Sequence, residues 1–175
     1  MNTKIILFAI EAHQSTNHLY DKNPYSVHLA IVVSYAQKYI HLLPQNQQED
    51  VISACWLHDT IEDCRLTYND LVQETNTNVA EIVFAVTNEK GKSRKERANA
   101  KYYEGIRNTA GAVFVKLCDR LANVKYSKDT NSRMLEVYKN EYSEFIKALF
   151  PDNTDNAEKM LYYPILKDLE EIINT

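Results

Sequence analysis

Glycine is nearly absent from this chain. Only Gly91, Gly105 and Gly111 occur among 175 residues, and that scarcity limits the fold more than any motif does. An all-β architecture needs many tight turns, and tight turns draw on residues that tolerate positive φ, so that class is disfavoured. The Gly-rich loops that cradle phosphates in Walker-type and dinucleotide-binding folds are excluded as well. A phosphorylated ligand would have to be held by a cation and by basic side chains. With 45% hydrophobic residues the chain can bury a sizeable core, and its length points to one domain over residues 1–175.

Apolar residues recur at helical spacing along most of the chain. Helices are expected over about residues 3–18, 24–42, 47–58, 80–86 and 96–108. Pro24 suits a helix entry and Pro44 a stop. The stretch 20–24 reads as a polar turn and 59–65 as an acidic junction. Thr67, with Asp70 three residues on, is placed to cap a short helix. Residues 112–124 are so apolar that they must lie in the core, and two amphipathic helices, about 132–150 and 157–173, finish the chain. The expected fold class is all-α, a helical domain of about eight or nine helices.

Net charge is −4, so no broad basic surface for duplex nucleic acid is expected, although a local basic cluster could still bind a small anion. Cys55, Cys64 and Cys118 are odd in number and form no CxxC. They read as reduced thiols of a cytoplasmic protein, with Cys118 a small core residue. The apolar run at residues 5–10 stops at Glu11, too short for a signal sequence or a membrane span.

Four separated residues, His28, the pair His58-Asp59, and Asp119, carry the chemical interest. Two imidazoles and two carboxylates suit one divalent cation such as Mn²⁺, Fe²⁺, Co²⁺ or Zn²⁺. Asp119 sits in the apolar word VFVKLCDRLANV, where a carboxylate is expensive unless it is ion-paired or metal-bound. Taken alone it reads equally as a partner of Arg120. Asn123 falls one turn later on the same face. In His58-Asp59-Thr60-Ile61-Glu62-Asp63 the adjacent His and Asp could both reach one ion only at a helix end. A cation there would offset the repulsion of the acids and leave Glu62 or Asp63 to orient and deprotonate a water. In an arbitrary sequence such a string is more often a solvated acidic loop, and a lone His28 more often a hydrogen-bonded core residue. Lys90, Lys92, Arg94, Lys95 and Arg97 form a basic stretch that is either a solvated face or a phosphate contact, with Arg94 and Arg97 at i, i+3. Lys116, Arg120 and Lys125 are further candidates. His13, His18 and His41 read as surface or structural.

Together, PYSVH, HDTIED and VKLCDRLAN resemble the HD-domain metal-dependent phosphohydrolases, and more narrowly the hydrolase half of RelA/SpoT-type alarmone enzymes and the small stand-alone alarmone hydrolases. The resemblance covers about residues 12–123, and AEIVFAVT at residues 80–87 is similar to the family's intervening helix. It implies one Mn²⁺ held by His28, His58, Asp59 and Asp119, hydrolytic water managed by Glu62 and Asp63, and Asn123 in the site near substrate or water; Lys22, Tyr25, Arg94 and Arg97 are the further candidates for substrate contact. The implied reaction removes pyrophosphate from the 3′ position of guanosine tetra- or pentaphosphate. The implied partner is a small phosphorylated nucleotide, with no membrane and no duplex nucleic acid, and a homo-oligomer is left open. The family's Arg-Lys-x-Gly-like run before Pro-Tyr is here Leu19-Tyr20-Asp21-Lys22-Asn23, with Lys22 its one cation and Tyr20 a ring that could stack on a base. Tyr126 stands where the family typically has a smaller residue. The chain has no room for a synthetase domain, so hydrolysis alone is expected. Two other readings stand beside this one: an HD phosphohydrolase of another nucleotide (a monophosphate, a cyclic nucleotide or NADPH), and a non-catalytic nucleotide sensor.

Overall fold

In a computed structural model, which describes residues 2–175, the chain is helical nearly throughout. In chain order the helices are α1 (Thr3–Ser15), α2 (Ser26–Tyr39), α3 (Gln45–Leu57), α4 (Thr60–Asp63), α5 (Tyr68–Glu74), α6 (Thr77–Val86), α7 (Arg94–Arg97), α8 (Ala100–Asn108), α9 (Ala112–Asp129), α10 (Met134–Leu149), α11 (Asn156–Leu161) and α12 (Tyr163–Ile173). Eight of these run nine residues or more, which matches the all-α expectation. The remaining four are short pieces that periodicity cannot register. Among the described residues, no helix is long and apolar enough to cross a membrane.

α9 is the axis of the structure. Phe114, Leu117, Cys118, Leu121 and Val124 are buried on it, and α2, α3, α6, α8, α10 and α12 pack around it. An 18-residue helix surrounded in this way must be apolar on most of its faces, which is why residues 112–124 read as core. Gly111 starts it with φ +86, and a Cβ there would lie 2.7 Å from Val51 Cγ2 on α3. Glycine is required at this one position both by the backbone and by the approach of α3.

Local chemistry accounts for the helix ends. Thr67 and Asp70 form a reciprocal capping box at α5. Asn76, Ser93 and Asn99 each accept a backbone N–H at the starts of α6, α7 and α8. The Asn99 cap divides the single helix expected over residues 96–108 into α7 and α8. The helix expected over residues 157–173 is likewise divided, because Pro164 begins a new turn after Tyr162. α1 ends at Ser15 rather than residue 18, since Asn17 takes φ 52. The polar turn at residues 20–24 is a small antiparallel hairpin, β1 (Leu19–Tyr20) with β2 (Asn23–Pro24), turned through Asp21 at φ 58.

Candidate metal centre and nucleotide cavity

Three distant stretches converge on α9. His28 lies in the first turn of α2, His58 and Asp59 lie between the end of α3 and the start of α4, and Asp119 lies at mid-α9. α2 and α3 both pack on α9, so each delivers its polar residue to the same point. The adjacent pair reaches that point because the chain leaves helical geometry at Asp59, with φ −101 and ψ 1. The two imidazoles are buried, at 1% and 3% exposure, and Asp119 at 8%.

His28 Nε2 lies 3.2 Å from His58 Nε2. It is 3.5 Å from an oxygen of Asp59 and 3.5 Å from Asp119 Oδ1. His58 Nε2 is 2.9 Å from Asp59 Oδ2 and 3.8 Å from Asp119 Oδ1. Atoms that share a divalent ion at about 2.1 Å stand about 3.0–3.4 Å apart in octahedral or tetrahedral shells. The observed separations have that scale: His28, His58 and Asp119 present donor atoms within 4.8 Å of one another, and Asp59 stands beside the two imidazoles. Ring tautomers agree with this. His58 Nδ1 meets the Cys55 carbonyl at 2.9 Å. A carbonyl only accepts, so Nδ1 carries the proton and Nε2 of the neutral ring presents a lone pair. His28 Nδ1 is buried with no hydrogen-bond partner among the described residues.

Each carboxylate accepts further hydrogen bonds. Tyr25 donates its hydroxyl to Asp59 Oδ2. Lys116 donates to Asp119 Oδ2 at 2.9 Å, and Asn123, one turn on, donates to Asp119 Oδ1. Burial opposes charge on His28, but Asp119 and Asp59 outweigh it and push the imidazole up to about 9. Burial likewise opposes ionisation of Asp119, and Lys116 with the imidazoles overrides it and holds the carboxyl well below its ordinary range. The field that draws protons onto these rings is the field that would hold a divalent cation.

The acid pair flanks this cluster. Glu62 accepts from the backbone and side-chain amide of Asn88 at 3.2 and 3.1 Å. Asp63 lies 3.6 Å from His18 Nδ1. Burial, then Asp59 and Glu62, push Asp63 up to about 7. His13 and His18 both stack on the Tyr25 ring, with centroids 4.2 and 4.0 Å from it and 5.3 Å from each other.

A cavity of about 800 Å³ opens over the cluster, and Tyr25, Asp59, Glu62, Asp63, Asp119 and Asn123 line it. Arg94, Lys95, Arg97, Arg107, Lys116 and Arg120 line the same cavity. Arg94 and Arg97, expected to contact phosphate, therefore share the cavity with the acid pair. Lys22 does not: it is exposed in the hairpin turn and is not among the lining residues. Tyr25 lines the cavity with its hydroxyl already engaged by Asp59.

Sequence reasoning missed the contacts that three residues make with the site. His18 stands beside Asp63 although it carried no motif. Asn88 follows α6 directly and holds Glu62. Tyr20 packs on His28 at 4.7 Å and donates to Asn123 Oδ1 at 3.0 Å. All three act through contacts between residues far apart in the chain, for which local spacing gives no signal.

A family model of the HD domain matches residues 6–145. A curated relative from Danio rerio, named guanosine-3′,5′-bis(diphosphate) 3′-pyrophosphohydrolase MESH1, is 27% identical over 87% of this chain and 86% of its own length. The protein of the same name from Homo sapiens is 32% identical over a shorter stretch, 43% of this chain and 42% of that one. A solved structure described as "A metazoan ortholog of SpoT hydrolyzes ppGpp and plays a role in starvation responses" superposes with a TM-score of 0.72 at 19% identity, over 98% of this chain and 93% of that one. That likeness shows a shared fold. The residues that assemble the cluster all lie inside the matched span, and the chain belongs to the HD-domain family.

Proposed function

We propose that residues 1–175 act as one metal-dependent phosphohydrolase domain that removes the 3′-pyrophosphate of guanosine tetra- or pentaphosphate or of a closely related nucleotide. The observation that carries this reading is the union of two features in one cavity. His28, His58 and Asp119 present donor atoms within 4.8 Å of one another with Asp59 beside them, and basic side chains line the cavity that holds the two carboxylates. The activity named for the Danio rerio relative, which aligns along most of both chains, supports it.

His28, His58, Asp59 and Asp119 would hold the ion. Mixed imidazole and carboxylate donors suit Mn²⁺ among the borderline divalent ions. When bound, such an ion polarises a phosphoryl oxygen and lowers the pKa of water. The chain's own residues do the rest. Asp63, with its carboxyl raised to about 7, is suited to take a proton from the attacking water near neutral pH. Glu62, fixed by Asn88, orients that water. Tyr25, Lys116 and Asn123 keep the two aspartates in place by hydrogen bonds, Tyr25 to Asp59 Oδ2, Asn123 to Asp119 Oδ1 and Lys116 to Asp119 Oδ2. Arg94, Arg97 and Arg120 oppose the negative charge of the phosphates. Three buried cysteines without disulfides fit a cytoplasmic setting.

The test is turnover of ppGpp by the purified protein with Mn²⁺, followed by product analysis. Pyrophosphate with GDP, abolished by a chelator, is the expected result. Orthophosphate from a monophosphate or NADPH would move the substrate to another nucleotide. Stoichiometric nucleotide binding without turnover would make the protein a sensor.

A further inference from the structure

α10 carries none of the sequence words that define the site, yet one stripe of it faces the cavity. Tyr138, Glu141 and Phe145, at i, i+3 and i+7, lie on one helical face and all line the cavity. Glu141 accepts from Arg94 Nε at 2.8 Å and from Arg94 Nη2 at 3.0 Å, a two-point fork, and its Oε2 also accepts from Arg120 Nη1 at 3.1 Å. The Tyr138 ring lies beneath both guanidiniums, 5.6 Å from Arg94 and 4.8 Å from Arg120. Phe145 lies 4.3 Å from Arg120. One helix thus grips two arginines from separate elements, one on α7 and one next to Asp119 on α9.

A fork–carboxylate pair with aromatic faces beneath it fixes a guanidinium's plane as well as its position. Unsupported, Arg94 would be a rotamer-rich side chain on a four-residue helix. A fixed guanidinium loses less freedom on meeting an anion, so it binds that anion more tightly. Five donors per guanidinium leave N–H groups free after Glu141 is served. Glu144 and Lys147 also line this wall, and neither has a hydrogen bond to the two arginines.

We propose that the Tyr138–Glu141–Phe145 stripe is a positioning device. It presents Arg94 and Arg120 as one preorganised arm for a phosphate or pyrophosphate group of the substrate. Glu141 acts through the arginines and does not touch the reacting atoms. The proposal deepens the hydrolase reading and rests on it for the identity of the substrate, but its anion-binding content does not depend on turnover.

The test uses inorganic pyrophosphate binding to the Mn²⁺-loaded protein by calorimetry, beside steady-state kinetics on ppGpp. Glu141→Gln keeps the shape, removes the charge and retains one acceptor. It is expected to weaken pyrophosphate binding about tenfold and raise KM similarly, with kcat within about twofold and metal content unchanged. Glu141→Asp should recover part of the loss. Arg94→Lys, which keeps charge and loses the fork, should weaken binding too, and adding Glu141→Gln to it should cost little more. Unchanged or tighter pyrophosphate binding in Glu141→Gln would overturn the proposal, the second by marking the carboxylate as a competitor of the anion. Additive losses in the double variant would also overturn it. If Glu141→Gln does not fold, Arg94→Lys decides by itself: unaltered binding rejects the arm. Absence of ppGpp turnover with intact pyrophosphate effects would reject the substrate and leave the arm standing.

Discussion

Metal binding should stabilise this fold by an amount that separates the holders of the ion from the acids beside it. The four donors already stand 2.9–3.8 Å apart where pairs are measured, so binding requires little reorganisation and its free energy appears as folding free energy. At a free Mn²⁺ concentration one hundred times Kd, the gain is about 2.7 kcal/mol. In a chain of this length each kcal/mol moves Tm by about 2–4 °C, so a rise of about 5–11 °C is expected. Asp119→Asn removes one candidate donor while keeping size, and it leaves the half-buried Lys116 without its partner. Its metal-free stability should fall by about 3–5 kcal/mol, so the comparison must be the shift on adding metal and not Tm itself. That shift should shrink to under about 2 °C in Asp119→Asn and persist in Glu62→Gln, which should nonetheless lose most turnover. Differential scanning calorimetry of the three proteins with and without Mn²⁺ measures all six states. A full metal shift in Asp119→Asn, or none in the native protein, would refute the assignment of the donors.

Three other outcomes follow from the same geometry. Asp63 has its carboxyl raised to about 7, so in the metal-free protein its ionisation opposes folding. The penalty is smallest below the unfolded value near 4 and complete above about 7, because the folded state holds the proton more tightly. At pH 8 the raised value corresponds to about 4 kcal/mol at most, and water at the partly exposed carboxyl lowers this to about 2. Asp63→Asn should therefore stabilise the metal-free protein more at pH 8 than at pH 5 in urea titrations; an equal effect at both would contradict the burial argument. Gly111→Ala should cost about 2–4 kcal/mol, combining strain at φ +86 with the 2.7 Å approach to Val51, and a loss under 1 kcal/mol would show that α3 yields easily. Lys116→Met should destabilise the metal-free protein by about 3 kcal/mol, since Asp119 keeps its burial and loses its cation; added Mn²⁺ should recover much of this, and a neutral effect would deny Lys116 its supporting role.

The fold and the cluster of candidate donors were legible in the sequence for one shared reason: both depend on local pattern. Sparse glycine and helical periodicity specify helices, and His58-Asp59 announces itself by adjacency. Asp119 announces itself by being charged within an apolar run. The grip of α10 on Arg94 and Arg120 was not legible, because Tyr138, Glu141 and Phe145 look like any amphipathic helix until α7 and α9 are placed against it. The split of residues 96–108 into α7 and α8 was hidden too, since the Asn99 cap competes with a periodicity that continues through it. Lys22 shows the converse failure. Its position before Pro-Tyr implied substrate contact, while the hairpin turns it outward, away from the cavity lining.

A crystal of the protein grown with Mn²⁺ and examined at the manganese absorption edge would decide the matter most directly. The account predicts one anomalous peak per chain, about 2.0–2.3 Å from His28 Nε2, His58 Nε2 and an oxygen each of Asp59 and Asp119. A peak elsewhere, or fully occupied protein with no peak among these four side chains, would contradict it.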